Sequence, residues 1–264
     1  MITPSYTIDG EFVALISAGA SGIGKQIAES LLQLGARVHV CDISDTAISS
    51  FLNDNPTATA SCCDASDYSQ VQQAFDDFKT QYKQLDLLIN NVGIAGPTAA
   101  VEDIEPDEWD NTIAIDLNAN FYFTKLAVPL LKANQGGSII NISSNAAFFG
   151  FPYRSPYTAS KWALIGLTKT WAMELGTENI RVNAICPGSV NGERINAVID
   201  KDAQCRGVSF SEIRDLYQSQ SSMRLFVDAT DIAGMVIYLA SDAGAKISGQ
   251  AICIDGHTES LSSI

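Results

Sequence analysis

The chain has 264 residues, 46% of them hydrophobic, and its 30 acidic and 16 basic side chains give a formal net charge of −14. A chain of this size can bury the core of a single domain over residues 1–264, and its negative charge argues against nucleic-acid and anionic membrane partners. The apolar runs are too short to cross a bilayer and the first ten residues lack the pattern of a signal peptide, so we expect a cytoplasmic protein. The six cysteines show no CxxC spacing and the two histidines lie far apart, so no metal site is expected.

Short β-rich apolar runs alternate along the chain with longer amphipathic stretches. The predicted strands are 12–17, 36–41, 57–62, 85–90, 137–143, 180–186 and 250–255. Representative predicted helices are 24–34, 68–82, 107–131, 157–176 and 228–241. Strands that alternate with helices need crossover connections. The sequence therefore predicts an α/β fold, a single Rossmann-like doubly wound parallel sheet of about seven strands with helices on both faces.

One polar segment, residues 189–222, does not fit this alternation and precedes the last predicted helix. A long segment of this kind in a compact domain is usually a functional lid or an irregular pair of helices. It directly follows the carboxyl end of a predicted strand, where ligands of open α/β sheets collect. We therefore predict that it is the substrate loop.

A run of small residues joins the first predicted strand to the first helix. Small side chains let the backbone approach a ligand closely, and the amino end of a helix offers free amide hydrogens and the positive end of its dipole. This arrangement predicts a site for the pyrophosphate of a dinucleotide. The predicted cofactor-binding residues in this run are Ser17, Gly19, Ser21, Gly22 and Ile23.

Asp42 ends the second predicted strand, twenty positions after Gly22. A carboxylate at this place can accept hydrogen bonds from the adenosine ribose and would repel a 2′-phosphate. No Arg or Lys lies in residues 17–24 or just after Asp42 to neutralise such a phosphate. NAD is therefore the expected cofactor, in preference to NADP.

Tyr157 and Lys161 are four residues apart on a predicted helix, so their side chains share one face. The pair follows the strand that ends at Ser143 and Ser144. A phenol ordinarily titrates near pH 10, and a neighbouring ammonium about 4 Å away favours its ionised form by roughly 4 kcal/mol at an effective dielectric near 20. Tyr157 can therefore act as a general acid and base, while the Ser144 hydroxyl hydrogen-bonds to a carbonyl oxygen that gains negative charge.

These motifs together resemble the short-chain dehydrogenase/reductase family of the classical subtype over nearly the whole chain. They are the glycine stretch 17–24, Asp64, the run 90–93 with sequence NNVG, Ser144, Tyr157, Lys161, Pro187 and Gly188. The resemblance implies a homotetramer in which Ser144 orients the substrate oxygen, Tyr157 transfers the proton and Lys161 binds the nicotinamide ribose. It also implies that Asp64, Asn91 and Gly93 border the adenine and its ribose, and that Pro187, Gly188 and Val190 line the nicotinamide.

Three positions depart from the family pattern. Ser17-Ala18 replaces the usual Thr-Gly, and Gly192 replaces a Thr that contacts the carboxamide. Asp116 replaces the family's catalytic Asn, which holds a helix kink and a water of the proton relay. A pairing of Asp116 with Lys161 would compete with ribose binding, so the relay is either modified or rewired through Asn118 or Asn120.

The substrate is predicted to be a small secondary alcohol, either a polyol or a hydroxy acid, or the corresponding ketone. Arg154 and Arg194 could bind an anionic group of that substrate, and His257 could reach the same pocket. One alternative is an activity like that of a 3-oxoacyl reductase, although an acidic acyl carrier protein would need a basic docking patch. Another alternative is a catalytically weak NAD-binding sensor or scaffold.

Overall fold

A computed structural model describes residue 8 and residues 11–258, apart from the side chain of Cys205. The described residues form one parallel seven-stranded sheet in the order β3-β2-β1-β4-β5-β6-β7. The strands are β1 Val13–Ser17, β2 Arg37–Asp42, β3 Thr59–Cys62, β4 Leu87–Asn90, β5 Gly137–Ile142, β6 Ile180–Pro187 and β7 Ala251–Ile254. The predicted fold class is confirmed, and every predicted strand lies within one or a few residues of an observed one.

Helices cover both faces of the sheet. They are α1 Gly22–Gln33, α2 Asp45–Asp54, α3 Tyr68–Gln81, α4 Pro106–Ile113, α5 Ala119–Ala133, α6 Ser155–Leu175, α7 Glu193–Arg206, α8 Phe210–Ser219 and α9 Ala229–Ala240. One core packs α1, α2 and α9 on one face, and a second core packs α3, α5 and α6 on the other. Because both faces are covered, the central strands are apolar without alternation, as in β1, where all five residues are buried.

The polar segment 189–222 is not a loop, because it folds into the helices α7 and α8. These two helices enclose a small core of their own, formed by Ile199, Ala203, Ile213 and Phe226. Ser209 begins α8 with a capping box, in which its hydroxyl accepts from the Glu212 amide and the Glu212 carboxylate accepts from the Ser209 amide. The segment is therefore a pair of regular helices and neither a loop nor an irregular pair, and its role in contacting the substrate stays a prediction.

The predicted helix 107–131 is interrupted by a π turn, so the prediction of one uniform helix was wrong. The π turn covers Ala114–Asn118 and joins α4 to α5. Its wider winding frees a backbone carbonyl, and the Asn120 side chain satisfies the carbonyl of Asp116 with a hydrogen bond of 2.9 Å. Thr112, Asp116 and Asn120 are buried at the four-residue spacing that an ordinary helix also shows, so the sequence pattern does not reveal the π turn.

The chain reverses its direction of travel across the sheet at β1. It runs outward from β1 to β2 and β3, then crosses back to β4 on the other side of β1. Ser17, at the end of β1, bridges the resulting crevice, because its hydroxyl accepts from the amides of Asn91 (3.0 Å) and Val92 (3.1 Å). Such a switch point is the usual ligand site of an open α/β sheet.

No helix in the described part of the chain combines the length and apolar character needed to span a membrane.

His39 on β2 is expected to make the fold sensitive to acid. Its ring is buried against Phe78, and its Nδ1 lies 2.7 Å from the Thr59 hydroxyl. Burial lowers the pKa of His39 to about 4, against a smaller opposing effect of Asp77. The folded state therefore keeps the neutral ring below pH 6.5, whereas the unfolded chain takes up a proton, so stability falls as the pH drops towards 4.

We expect this single group to lower the free energy of unfolding by about 2–3 kcal/mol between pH 7 and pH 4.5, as measured by urea denaturation. His39→Gln removes that part of the pH dependence, whereas the control His257→Gln retains it. An equal acid sensitivity in wild type and His39→Gln would contradict the prediction.

Candidate functional site

A cleft of about 750 Å³ opens at the carboxyl ends of β1, β4, β5 and β6. It brings together residues that lie far apart in the sequence. The predicted site residues that line it are Ser21, Gly22, Ile23, Asn91, Gly93, Ser144, Arg154, Tyr157, Lys161, Pro187, Gly188, Val190 and Arg194. The cleft is therefore a single space that runs from the first helix to the region of Tyr157.

The amino end of α1 forms one end of the cleft. Gly22 begins α1 with φ +53°, and an added Cβ there would meet no atom within 4 Å. At Gly24 an added Cβ would overlap the Ala18 carbonyl oxygen, so only glycine lets α1 start this close to the loop. Ser21 makes no side-chain cap, which leaves the first amides of α1 available to an anion.

Ala18 occupies a backbone conformation that glycine would adopt more easily. Its φ is +49°, in the left-handed region that an L side chain disfavours by about 1–2 kcal/mol. Its carbonyl oxygen accepts a hydrogen bond of 2.9 Å from the Asn91 side chain. Ala18 therefore adopts a left-handed backbone conformation that is typical of glycine.

Four predicted cofactor residues do not line the cleft. Ser17 is fully buried in the bridge between β1 and β4, and an added Cβ at Gly19 would contact Val40. The Asp42 carboxylate lies at the end of β2 and accepts from the amides of Ala20 (3.1 Å) and Ser44 (3.2 Å). The Asp64 carboxylate accepts from the amide and hydroxyl of Ser66.

Ser144, Tyr157 and Lys161 meet at the other end of the cleft. Ser144 follows β5, and its hydroxyl accepts from the Ala146 amide at 3.1 Å. Tyr157 and Lys161 stand one turn apart on α6, with the Lys161 ammonium 5.6 Å from the centre of the Tyr157 ring. Lys161 is only 3% exposed, and its ammonium donates to the carbonyl oxygen of Ile142 at 3.4 Å.

Asp116 lies behind this group and is fully buried in the π turn. One carboxylate oxygen accepts from the Ile94 amide at 2.7 Å, and the other is 3.9 Å from the Lys161 ammonium. Asn120 is committed to the backbone of the π turn, and Asn118 is exposed. Of the residues predicted for the relay, only Asp116 lies beside Lys161.

The absence of a side chain at Gly93 leaves the Lys161 ammonium accessible from the cleft. An added Cβ there would lie 3.2 Å from the Lys161 nitrogen and 3.3 Å from an Asp116 oxygen. Any larger residue would therefore press on both charged groups. These two close approaches explain why residue 93, three positions after the end of β4, is a glycine.

The three predicted substrate residues differ in their positions. Arg154 is buried beside Tyr157, with its guanidinium carbon 5.4 Å from the centre of the ring. Arg194 is exposed at the start of α7 and donates to the Gly93 carbonyl oxygen at 3.2 Å. His257 lies outside the lining of the cleft, where its Nδ1 is 2.6 Å from the Ser222 hydroxyl.

Several lining residues were not predicted from the sequence. Asn145 donates to Asp255 (3.5 Å) and Thr258 (3.3 Å), which ties the end of β5 to the segment after β7. Asp255 directly follows β7, so the rule that ligands collect at the carboxyl ends of strands could have indicated it. Tyr217 reaches the cleft from α8; it belongs to the segment 189–222 that the sequence predicts to contact the substrate, but nothing in the sequence singles it out there.

The cleft fits the nicotinamide dinucleotide that the sequence predicts. Its volume lies in the usual range of about 300–1,000 Å³ for ligand sites. One end offers the α1 amides over a loop of small residues, and the other offers the Lys161 ammonium beside Gly93. The two ends suit the pyrophosphate and the nicotinamide ribose respectively.

Comparisons with known proteins agree with this geometry. A family model described as enoyl-(acyl carrier protein) reductase matches residues 17–257. Trans-4-hydroxycyclohexanecarboxylate dehydrogenase of Sinomonas cyclohexanicum is 38% identical over 261 residues, which cover 93% of this chain and 92% of that protein.

Solved structures share the fold closely. A variant of the actinorhodin polyketide ketoreductase with NADPH has a TM-score of 0.89 and 28% identity, covering 93% of this chain and 96% of that one. Xylitol dehydrogenase with bound NAD+ has a TM-score of 0.88 and 26% identity, covering 94% of this chain and 99% of that one. The chain belongs to the short-chain dehydrogenase/reductase family of oxidoreductases.

Proposed function

We propose that this protein is an NAD-dependent dehydrogenase that interconverts a secondary alcohol and its ketone, with Tyr157 as general acid and base. The observation that carries the proposal is the meeting of Ser144, Tyr157 and Lys161 in the cleft that continues from the amino end of α1. Family membership supports an oxidoreductase reaction. The cofactor, the substrate class and the residue roles form the proposal.

The chemistry follows from the placement of these side chains. Bound nicotinamide would accept a hydride from the alcohol carbon or supply one to the ketone. Tyr157 takes the hydroxyl proton during oxidation and returns it during reduction, while Ser144 donates a hydrogen bond to the substrate oxygen. Lys161 places its positive charge beside the Tyr157 ring and offers its ammonium to the ribose.

Asp116 adjusts the charge that Lys161 presents to the cleft. It holds the Ile94 amide and lies 3.9 Å from the ammonium, so part of that positive charge is neutralised. The distance is longer than a direct hydrogen bond, which leaves ammonium protons for the ribose and the relay. Asp116 thus serves as a positioning residue in the modified relay.

Asp42 supports NAD over NADP. Its carboxylate lies beside the loop that precedes α1, and the exposed residue that follows it is Ile43, which carries no positive charge. A 2′-phosphate there would meet a negative charge without a basic partner. Similar structures hold either NAD+ or NADPH, so the proposal of NAD rests on the negative charge of Asp42.

The named substrates of similar proteins support a small secondary alcohol. The Sinomonas relative is named for a hydroxycyclohexanecarboxylate, and the NAD+-bound neighbour is named for xylitol. These are a hydroxy acid and a polyol, the two classes that we propose.

We also propose that the chain functions as a single cytoplasmic domain in a homotetramer. Large apolar side chains are exposed on α5 and α6, namely Phe121, Trp162 and Met173, and association of subunits would bury them.

Tyr157→Phe tests the proposed reaction. We expect this variant to lose about 10²–10⁴-fold in kcat while it keeps NAD binding, because only the proton transfer is removed. Turnover is followed by absorbance of reduced nicotinamide with polyols, hydroxy acids and simple secondary alcohols. Tyr153→Phe, at a half-exposed tyrosine outside the lining of the cleft, should retain activity. Absence of turnover in the wild type despite NAD binding would favour a sensor or scaffold.

Asp42→Asn tests the choice of cofactor. The amide keeps a hydrogen-bond acceptor but removes the charge that would repel a 2′-phosphate, so kcat/KM with NADP relative to NAD should rise about tenfold. The matched control is Asp45→Asn, at an exposed carboxylate that begins α2, and it should leave the ratio unchanged. An unchanged ratio in Asp42→Asn would show that the Asp42 charge does not determine the choice between NAD and NADP.

Asp116→Asn tests the modified relay. The amide oxygen can still accept from the Ile94 amide, but the negative charge beside Lys161 is lost, so the cleft presents more positive charge to the developing negative charge of the reaction. The kcat of oxidation should rise by roughly tenfold, with little change in the KM for the substrate. Asp110→Asn, at an exposed carboxylate of α4, is the control. An unchanged kcat would limit Asp116 to holding the Ile94 amide.

A further inference from the structure

Arg154 is a buried charge inside the proposed active site. It is 6% exposed, lines the cleft, and lies over the rings of Tyr157 (5.4 Å) and Phe151 (5.6 Å). Arginine is almost never buried to this degree without a charged partner. Its position next to the proposed general acid and base connects it to the substrate.

The guanidinium of Arg154 lacks a carboxylate partner among the described residues. Its Nη1 donates to the Thr98 hydroxyl at 3.0 Å, its Nε is buried without any hydrogen-bond partner, and its Nη2 has none among these residues. No carboxylate of this part of the chain lies within 4 Å of it. Nε and Nη2 together therefore form an edge without a hydrogen-bond partner, which we call the open edge although Nε itself is shielded from water. This is the edge that binds a carboxylate through two parallel hydrogen bonds.

The surroundings of Arg154 favour an anion. Burial lowers the pKa of Arg154; Tyr157 and Tyr217 oppose this effect, and Arg194 adds a smaller lowering. An anion beside Arg154 would offset the cost of burying its charge. The phenol of Tyr217 also lines the cleft; burial raises its pKa to about 12, followed by the effect of Asp202, so Tyr217 adds no negative charge beside Arg154.

We infer that Arg154 binds a carboxylate of the substrate, so that the enzyme acts on hydroxy acids and the corresponding keto acids rather than on neutral polyols. This inference rests on the proposed dehydrogenase function. The carboxylate would occupy the open edge of Arg154, and the guanidinium lies close to the Tyr157 ring, so a short carbon frame would join the carboxylate to the reacting carbon. The acidic protein thus presents a local positive site to an anionic substrate.

A purely structural role of Arg154, in which its charge only packs on the two aromatic rings, makes a different prediction. Removal of a stabilising cation–π contact would lower the melting temperature of the ligand-free protein. Removal of a buried charge without a partner should leave that temperature unchanged or raise it. We expect Arg154→Gln not to lower the melting temperature, and a fall of several degrees would favour the structural role.

Binding of unreactive acids tests the inference without any need for turnover. Propionate, butyrate and cyclohexanecarboxylate are titrated calorimetrically into the NAD-saturated protein, each against its carboxamide, which has the same shape but no charge. At least one acid should bind about a hundredfold more tightly than its amide, because only the carboxylate can form two charge-assisted hydrogen bonds with Arg154.

Three variants complete this binding test. Arg154→Gln should abolish the preference for the acid, and Arg154→Lys should restore part of it. Lys201→Gln, at an exposed lysine of α7 outside the cleft lining, should retain the full preference. If no acid binds more tightly than its amide, or if Arg154→Gln keeps the preference, the inference is wrong.

Turnover separates this inference from the proposed function. Lactate, 3-hydroxybutyrate and trans-4-hydroxycyclohexanecarboxylate are compared with their amides and with xylitol. Oxidation of an acid, with a KM that rises about a hundredfold in Arg154→Gln and a kcat that changes little, supports both proposals. Oxidation of neutral alcohols or amides as efficiently as acids overturns the role of Arg154 but leaves the dehydrogenase intact. No oxidation of any compound overturns the dehydrogenase, and the binding test still decides the role of Arg154.

Discussion

The site depends on a pair of buried opposite charges, Lys161 and Asp116. Both side chains are almost completely removed from water, and their charged atoms are 3.9 Å apart. Removing one partner of a buried pair typically costs about 3–5 kcal/mol, so each charge requires the other. Because the pair joins α6 to the π turn before α5, it also fixes the Ile94 amide and the space beside Gly93. The same contact therefore joins these segments and sets the charge that the cleft presents.

Polar bridges inside the sheet keep the cleft open at the crossing between β1 and β4. Ser17 joins the ends of these two strands through the amides of Asn91 and Val92. Deeper in the sheet, Asn90 donates to Asn141 on the neighbouring strand at 2.8 Å. Buried polar groups of this kind are costly unless they are satisfied, so they allow few alternative arrangements of the strands. The carboxyl ends of the strands are held at defined positions, and the ligand site forms between them.

Charge is distributed unevenly in this molecule. The chain as a whole carries −14, yet the cleft collects Lys161, Arg154 and Arg194 around the region of Tyr157. Asp116 neutralises part of the charge of Lys161, whereas Arg154 has no comparable partner among the described residues. This difference assigns different roles to the two buried cations. In the proposed reaction Lys161 supports proton transfer and cofactor binding, whereas we infer that Arg154 binds a substrate anion.

The sequence by itself determined the sheet, most of the helices and the group formed by Ser144, Tyr157 and Lys161. Local apolar patterns reveal strands and helices, and residues four positions apart on a helix share a face wherever that helix packs. Only the tertiary structure decided the π turn, the distance of Asp116 from Lys161, the open edge of Arg154 and the arrival of Tyr217 from α8. These features depend on contacts between distant segments, which local periodicity does not encode. The sequence placed Asp116 and Arg154 near the site, but whether each charge had a partner depended on which atoms packing brought within reach.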